Sequence, residues 1–482
     1  MRRGPLPARV KKEGMGQVSL NLHRGGRDMR KGWVVWICMV GLLLAVVPSN
    51  SARAEVEIQK LPEVLDAFLI GGDLSLFWRW DHYAYFAKNP FVQKDNNWGE
   101  IFGRVRFKAK KNFGWADAEM QIAPIFMATI DQDVYGLVSD TTEVDFNQAY
   151  IQFGKLFNSP FTVTVGMQDI YIEKQFMIGL GKTQETALWL LFDQSFPFAV
   201  RVDGDAGPLK TTAFWARSGD YFAQTFEGKD EIEVAGVNLH YDLMEGAYLY
   251  GGFFTKMDDT PPGSTGFLGQ TLAQTDTHVV DFGGDWTFGP FNIEAEAVYQ
   301  FGNVEFVAGD SLDRKSFGCF VSPKFTFPVA YSPYIKLHFI YWPGDEDPND
   351  GDIEEYDPMF EGWTVWNRWF IGEHMTEVFG LKTNTIKYIA EVGFYPVETC
   401  QIQAMYIRHQ LDEEYFPGGV LNPVPVSSKD FADEFNLFMN WQTTDFLFVH
   451  SGLGFDVPND AAKEIFGNKT AVFAQLWLMF AF

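Results

Sequence analysis

The sequence predicts an all-β fold, a closed transmembrane antiparallel β-barrel of about 18 strands. Three observations support it: apolar and polar residues alternate with period two after residue 54, the connections are alternately short and long, and the last alternating segment ends on phenylalanine. Period-two alternation is typical of strands with one apolar and one polar face. Short periplasmic turns and long extracellular loops in alternation are typical of outer-membrane barrels.

Composition favours one large domain. The chain has 482 residues with 17% aromatic and 21% charged residues, and no linker or change of composition follows residue 54. The net charge is -25, and the first 54 residues hold ten Lys/Arg against two Asp/Glu, so the remainder carries -25 - 8 = -33. Because phosphate backbones repel such a charge, we expect no nucleic-acid partner.

The N-terminal region reads as three parts: a mis-called start at 1–28, a signal peptide at 29–54, and the outer-membrane barrel at 55–482. In the signal, Arg30 and Lys31 precede an apolar run from Val34 to Val47, and a small-x-small site ends at Ala54. A transmembrane anchor is the alternative, but the run is shorter than the ~20 residues of a bilayer span. We therefore predict export through a cleaved signal to the Gram-negative outer membrane.

Eighteen alternating segments follow, and an even number places both termini on one side of the barrel. The connections at 289–290 and 396–397 are tiny, whereas those at 173–195, 343–383 and 410–431 are long. A soluble β-sandwich is the alternative, but it has no reason to separate short from long loops by end. The segments are 71–83, 97–111, 115–127, 143–154, 161–172, 196–204, 208–217, 231–243, 246–256, 276–288, 291–302, 315–327, 332–342, 384–395, 398–409, 432–443, 445–457 and 470–482.

Apolar residues occupy one face of these segments, and this face is expected to contact lipid. In the second segment Val105 and Phe107 oppose Arg106 and Lys108. Only a closed sheet pairs all backbone groups in hydrocarbon. Aromatic residues near strand ends are placed for interfacial girdles. They are Trp78, Trp80, Trp98, Trp115 and Trp286.

The last segment carries an assembly signal. Leu478, Phe480 and Phe482 share its apolar face, and the sequence ends there. This resembles the C-terminal signature that outer-membrane barrels present to the barrel-assembly machinery. We therefore expect that machinery, outer-membrane lipid and lipopolysaccharide as partners.

Three stretches resemble the alginate-export family of outer-membrane channels. They are 148–170 with a Gly-x-Gln step, 198–217, and 433–460 with a Gly-x-Gly-aromatic strand. The resemblance implies an 18-stranded barrel and a channel for passive passage or secretion of a solute or polysaccharide. Met167 stands where the resemblance leads us to expect arginine.

Charged residues on the inward parity are the candidate pore lining. A basic row on the second segment would concentrate anions in a pore. The alternative is a ladder neutralised by Asp117 and Glu119, and carboxylates elsewhere on this parity would set a transverse field across the lumen. The candidates are Arg79, Arg104, Arg106, Lys108, Lys110, Asp117, Glu119, Arg201, Glu294, Glu296 and Lys336.

The connection 343–383 has two notable parts. Its acidic start offers hard oxygen ligands for Ca²⁺ at Asp345, Asp347, Asp350 and Asp352, although a solvated acidic loop is the commoner case. No other cofactor is expected. Its continuation is apolar enough to fold into the barrel mouth as a constriction, through Trp363, Trp366, Trp369 and Phe370.

No catalytic set is apparent, because the eight histidines are scattered and no Gly-x-Ser-x-Gly elbow occurs. The chain is therefore not expected to be an enzyme, although sequence spacing does not exclude a Ser/His pair on the outer wall. Within transport, the alternative is a general or oligosaccharide-uptake porin. From another class, it is a non-conducting structural barrel or a sleeve for a partner protein.

Overall fold

The computed structural model describes most of the chain after residue 55. The described ranges are 56–57, 65–86, 95–131, 142–180, 196–217, 232–258, 274–305, 311–347, 350–360, 379, 381–416 and 424–482. The expected signal peptide and the Trp363 to Phe370 stretch lie outside them. Within these ranges, no helix is long and apolar enough to cross a membrane.

Eighteen antiparallel strands form a closed barrel, which confirms the predicted fold. Each strand pairs with its neighbours in sequence, and the last pairs with the first. The strands are β1 (Ala67–His82), β2 (Asp95–Asn112), β3 (Asp117–Ile130), β4 (Thr142–Gly154), β5 (Phe161–Gln168), β6 (Phe196–Ala206), β7 (Leu209–Arg217), β8 (Ile232–Met244), β9 (Ala247–Asp258), β10 (Gln274–Phe288), β11 (Phe291–Glu305), β12 (Ser311–Thr326), β13 (Tyr334–Trp342), β14 (Thr385–Val397), β15 (Cys400–Leu411), β16 (Asp430–Thr444), β17 (Leu447–Pro458) and β18 (Ala471–Ala481).

Short turns join the strands at the periplasmic end. Met244 and Ala247 flank one such turn, and Phe288 and Phe291 flank another. A glycine provides the positive φ that the second turn requires, since Gly289 has φ +58°. At the other end, α1 (Asp460–Ile465) lies between β17 and β18. At the periplasmic end, Leu156–Asn158 form a three-residue helical turn between β4 and β5.

The seam between β1 and β18 closes the sheet. Leu76 pairs with Leu478, Leu74 pairs with Phe480, and the backbone of Phe482 exchanges two 2.9 Å hydrogen bonds with Gly72. A side chain at position 72 would collide with the Phe482 ring, because a Cβ there would lie 2.6 Å from it. Closure satisfies the backbone groups that would otherwise be exposed to lipid.

Burial alternates along the strands and identifies the two faces. Large apolar side chains such as Phe282 and Leu453 are more than half exposed on the outer face, whereas Asp281 and Phe473 are buried inside. Of the aromatic residues expected in girdles, Trp78 and Trp115 lie exposed on the outside. The expectation was wrong for Trp98, which is buried inside and donates to Asp81 Oδ2.

Candidate functional site

The wall is interrupted at β5, which ends at Gln168 rather than at the predicted residue 172. The β5 and β6 registers shift between Gly166 and Gln168, which marks a β-bulge. Gly166 has φ +124°, and a Cβ there would lie 2.4 Å from the Ala149 carbonyl oxygen. Bulges redirect strands near functional sites. Here the bulge ends strand pairing and directs residues 169–180, the first inserted segment, into the lumen.

The start of the first inserted segment is held by the wall beneath it. Gln148 on β4 donates to the Asp169 carboxylate at 2.7 Å. Arg201 on β6 donates to the Asp169 carbonyl at 3.2 Å and pairs with Asp203 at 2.7 Å. Arg201, a candidate pore-lining residue, therefore anchors this segment.

The far side of the segment reaches strands β8 to β11. The Glu173 carboxylate accepts from Asn238 at 2.7 Å and contacts His240 Nδ1 at 3.1 Å. Lys174 pairs with Asp285 at 2.8 Å and with Glu294 at 2.9 Å. The first inserted segment therefore crosses the lumen from one wall towards the opposite one.

Lys174 is the strongest electrostatic contact of this segment. Burial lowers the pKa of Lys174, but the attraction and hydrogen bonds of Glu294 and Asp285 outweigh it and raise the pKa above its ordinary value. The ammonium group stays charged at physiological pH. The position of the segment is therefore fixed by an ion pair shielded from bulk water.

Residues 350–360 form a second inserted segment, from the long β13–β14 connection. The Asp357 carboxylate accepts from Lys256 at 2.5 Å and from Thr277 at 2.8 Å. Its backbone exchanges hydrogen bonds with the Gln300 side chain at 2.6 and 2.9 Å. Burial opposes ionisation, but Lys256 and Arg314 hold the pKa of Asp357 below its ordinary value. Three neighbouring strands thus hold the side chain and the backbone of one residue.

The two inserted segments meet inside the barrel. Phe360 donates its N–H to the Met177 carbonyl at 3.1 Å, and Gly179 donates to the Phe360 carbonyl at 2.8 Å. The Tyr356 hydroxyl lies 2.9 Å from the Met177 sulfur. The ring of Phe176, fully buried, lies 5.9 Å from that of Tyr356.

An apolar layer surrounds this junction. Ile170, Phe176 and Ile178 pack with inward-facing side chains contributed by strands from β6 to β18. Interiors of this kind are close-packed and exclude water. The lumen is therefore narrowed by packed apolar material on this side. The wall residues are Ala199, Phe214, Ala216, Val234, Phe254, Val279, Val298, Phe320, Ile340, Trp342, Ile389, Met405, Ile407, Phe438 and Phe473.

The basic row lies inside the barrel on β2, where two carboxylates face its four cations. Asp73 on β1 accepts Arg104 at 2.7 Å and Arg106 at 3.4 Å. Glu119 on β3 lies 3.9 Å from Lys108 and 3.3 Å from Lys110. Four cations of one strand thus share these two carboxylates.

Asp117 and Arg79 have other partners than the row. Asp117 pairs with Lys155 at 3.0 Å at the periplasmic turn. Arg79 is fully buried, pairs with Asp81 at 2.7 Å and donates to Gln475 at 3.0 Å. Both residues therefore stabilise the wall locally.

The wall opposite the basic row is acidic. In a ring of eighteen strands β11 is nine strands from β2, which is half the circumference. Glu294 on β11 pairs with Lys174 and, at 2.8 Å, with Lys336. Glu296 accepts the Tyr250 hydroxyl at 2.6 Å, and Asp281 is buried beside it. Carboxylates thus lie across the lumen from the basic row, and two lysines neutralise Glu294 there.

The candidate calcium ligands are spread along the acidic segment. Asp352 pairs with Lys315 at 2.8 Å, and its N–H donates to Asp350 at 2.9 Å. Burial and neighbouring acidic groups raise the pKa of Asp345. In the described ranges no group of three or more His, Cys, Asp or Glu residues is arranged to hold a metal ion.

Sequence reasoning missed the residues that place the inserted segments. Glu173, Lys174 and Asp357 were not among the candidate site residues, although the connection 343–383, which contains Asp357, was expected to fold into the barrel mouth. A signal was available, because Ile170, Ile172 and the run 176–178 are apolar in a connection that should be exposed. An apolar loop next to a Gly-x-Gln bulge indicates insertion.

Comparisons with known proteins agree with this architecture. The alginate export family matches residues 101–461. The fold is similar to a BenF-like porin from Pseudomonas fluorescens Pf-5, with TM-score 0.54, 10% identity, and coverage of 87% of this chain and 99% of that one. It is also similar to Acinetobacter baumannii OccAB1, with TM-score 0.52, 9% identity, and coverage of 90% and 99%. A search of curated proteins gives no significant match.

At these identities the solved structures show the fold alone, an outer-membrane barrel of the porin type. The family match extends over most of the barrel, from β2 to α1. The resemblance noted in the sequence is thereby confirmed. The chain belongs to the alginate export family and is a channel of the outer membrane.

Proposed function

We propose that this channel passes an anionic solute or polysaccharide by diffusion along the basic row of β2. The supporting observation is that Arg104, Arg106, Lys108 and Lys110 lie at alternate positions on one inward face of β2. A cationic wall of low dielectric raises the local concentration of anions.

The inserted segments make this charge effective. Water and salt screen a charge beyond about 8 Å at physiological ionic strength, so a wide pore would feel the row weakly. The two segments occupy the β6–β18 side of the lumen and bring the path closer to the remaining wall.

The test is ion selectivity in planar bilayers. Replacing Arg104 and Arg106 with glutamate should move the reversal potential in a salt gradient towards cation preference, and the shift should shrink in 1 M salt. Because new carboxylates beside Asp73 could disturb folding, the milder double variant K108Q/K110Q should move it in the same direction by less. The matched control is Lys463→Glu, on an exposed lysine of α1 that pairs with Asp460 of the same helix. Unchanged selectivity in both double variants would refute the anion path.

Two other functions are separated by the same recordings. An oligosaccharide-uptake porin would pass neutral sugars as well as anions and would show little charge selectivity. A non-conducting sleeve for a partner protein would give no current at all, and the apolar layer around Phe176 is the feature that favours it.

Export is proposed to use an N-terminal signal peptide that is cleaved. The small-x-small site at Ala52 to Ala54 predicts that the intact mass of the membrane-purified protein starts at Glu55. A mass starting at Met1 or Met29 would contradict this.

The remaining partners are also proposals. The terminal face of Leu478, Phe480 and Phe482 is suited to the barrel-assembly machinery, and the outer rim would contact lipopolysaccharide. Calcium at Asp345 to Asp352 would raise the melting temperature of the purified barrel; a melting temperature unchanged by millimolar Ca²⁺ or by EDTA would refute that site.

A further inference from the structure

Two lysines face each other on the lumen wall close to the periplasmic end. Lys324 on β12 and Lys336 on β13 are directly opposite partners in the sheet register. Lys324 lies two residues before the end of β12 at Thr326, and Tyr334 is the first residue of β13. Like charges directly opposite on one face destabilise a sheet, so this pair needs compensation.

Only one of the two lysines is compensated by a direct ion pair. Lys336 lies 2.8 Å from Glu294, which also binds Lys174 of the first inserted segment. In the described part of the chain, no carboxylate lies within ion-pair distance of Lys324, which is half-buried. Its ammonium group lies instead 4.3 Å above the ring of Tyr334, a cation–π contact. The N–H groups of Lys324 are therefore available to an incoming ligand.

The ring below Lys324 is held rigidly. The Tyr334 hydroxyl donates to Glu391 at 2.5 Å and accepts from Gln401 at 2.7 Å. The Tyr395 ring lies beside it, with centroids 6.2 Å apart. An ammonium group above a fixed aromatic platform, with an amide nearby, is a preorganised arrangement for an anionic ring-shaped solute.

We propose that Lys324, with Tyr334 and Lys336, forms an anion-binding subsite at the periplasmic mouth of the channel. Its ligand is a monovalent carboxylate carried by a sugar-sized solute or polymer unit. A dianion is disfavoured, because the Tyr334 ring below Lys324 is bound to the Glu391 carboxylate and Lys336 is bound to that of Glu294. The subsite rests on the proposed anion path and adds the place where an anion is held on the periplasmic side.

The subsite is tested by channel block in oriented planar bilayers, with glucuronate, glucose and glucose 6-phosphate as probes of one ring size. Glucuronate added on the periplasmic side should interrupt the current more often than glucose. Lys324→Gln should reduce that block frequency by about threefold to tenfold at low salt, as expected for loss of one steering charge. Block from the extracellular side should change less.

Lys463→Gln is the matched control, since Lys463 lies exposed on α1 and pairs there with Asp460 of the same helix, and it should leave the block unchanged. Equal block frequencies in wild type and Lys324→Gln would overturn the subsite. Stronger block by glucose 6-phosphate than by glucuronate would overturn the preference for a carboxylate.

A stability measurement separates binding from a structural role. Lys324→Gln removes the repulsion from Lys336, so without anion its melting temperature should equal or exceed that of wild type. Glucuronate should raise the melting temperature of wild type but not of the variant. A destabilised variant that glucuronate still stabilises would refute the proposal.

The two tests fail independently. The selectivity experiment on β2 reports on Arg104 and Arg106, whereas the block experiment reports on β12 and β13 across the lumen. Selectivity that shifts with unchanged block removes the subsite alone. Unchanged selectivity with altered block removes the row of β2 as the anion path and leaves the subsite.

Discussion

The two sides of the lumen wall differ in how their side chains are held. On β1 to β4 the buried inward residues include Asp73, Arg104, Gln121 and Asn147, joined by ion pairs and hydrogen bonds. From β6 to β18 the inward face contributes the apolar layer that packs on the inserted segments. The inward face is therefore mainly polar on β1 to β4 and mixes an apolar layer with buried polar residues such as Glu296 and His409 on the other side, because period-two alternation leaves every inward position free to vary.

The difference shows which part of the lumen is filled by loops. The first inserted segment touches the polar side near its start, at Asp169, and then packs against the apolar layer through Phe176 and Ile178. Apolar wall residues bury area against the segment, whereas the polar wall has its own internal partners. The hydrophobic effect thus determines where the inserted segments pack, and the charged residues that stay uncovered line the remaining path.

The largest effect is expected from breaking the apolar side. Phe176→Asp places an unpaired carboxylate in the layer and should displace the first inserted segment, because burying such a charge costs several kcal/mol. Single-channel conductance should rise severalfold and anion selectivity should fall, since the path widens. The control is Phe157→Asp, at a residue 78% exposed in a periplasmic turn, which should leave the conductance unchanged. An unaltered conductance in the Phe176 variant would mean that this segment does not limit the path.

A smaller effect of opposite sign should follow on the polar side. Asp73→Asn removes the carboxylate shared by Arg104 and Arg106, and Glu119→Gln removes the one shared by the two lysines. Each should shift the reversal potential towards stronger anion preference, most clearly at low salt. Asp66→Asn, at an exposed pair with Lys111 beside the strands, is the control. A shift towards cations in either lumen variant would contradict the role of the row.

A modest pH dependence of the single-channel conductance is expected from Glu355 in the second inserted segment. Burial raises the pKa of Glu355 to about 7, although the attraction of Arg314 lowers it. A carboxyl whose pKa is raised in the folded state binds its proton more tightly there than in the unfolded chain. The stability of the segment therefore falls as the pH rises from the ordinary pKa of 4.5 to about 7. Thr383, Asp345, Asp357 and Tyr415 also face this group.

The measurement is single-channel conductance between pH 5 and pH 8. Conductance should increase over this range as Glu355 ionises and the segment loosens, and Glu355→Gln should flatten the profile. Asp357 is ionised throughout, because Lys256 and Arg314 keep its pKa low. A profile that Glu355→Gln leaves as steep as before would assign the titration to another group.

The smallest perturbation tests which end of the barrel faces the periplasm. A tag inserted between Asp350 and Gly351 should be labelled on whole cells, whereas one at Gly289 and Pro290 should be labelled only after the outer membrane is opened. The reverse labelling would invert the assignment of long loops and short turns.

Sequence reasoning predicted the eighteen strands because alternation and turn length are local properties. It did not predict that β5 ends at Gln168, because the bulge depends on the close approach of Gly166 to β4. It also placed Trp98 in a girdle, since distance from a strand end does not decide the face.

The partners of the basic row show the same limit. Parity alone places Arg104 on the inward face, but the stagger between strands decides that it lies opposite Asp73 on β1, while Lys110 lies opposite Glu119 on β3. Stagger is set by the closed ring as a whole. The residues that Lys174 contacts on β10 and β11 are separated from it by an even longer stretch of sequence, and no local pattern encodes these contacts.

The seam between β1 and β18 has a consequence for biogenesis. Gly72 and Phe482 hydrogen-bond across the whole length of the barrel sequence, so these closing contacts have the greatest sequence separation in the sheet. Non-local strand pairing folds slowly, and an unpaired strand edge is prone to pair with other chains. Until β18 arrives, β1 presents such an edge. The edge of β1, the first strand of the barrel, must therefore be kept from pairing with other chains until the last strand reaches it.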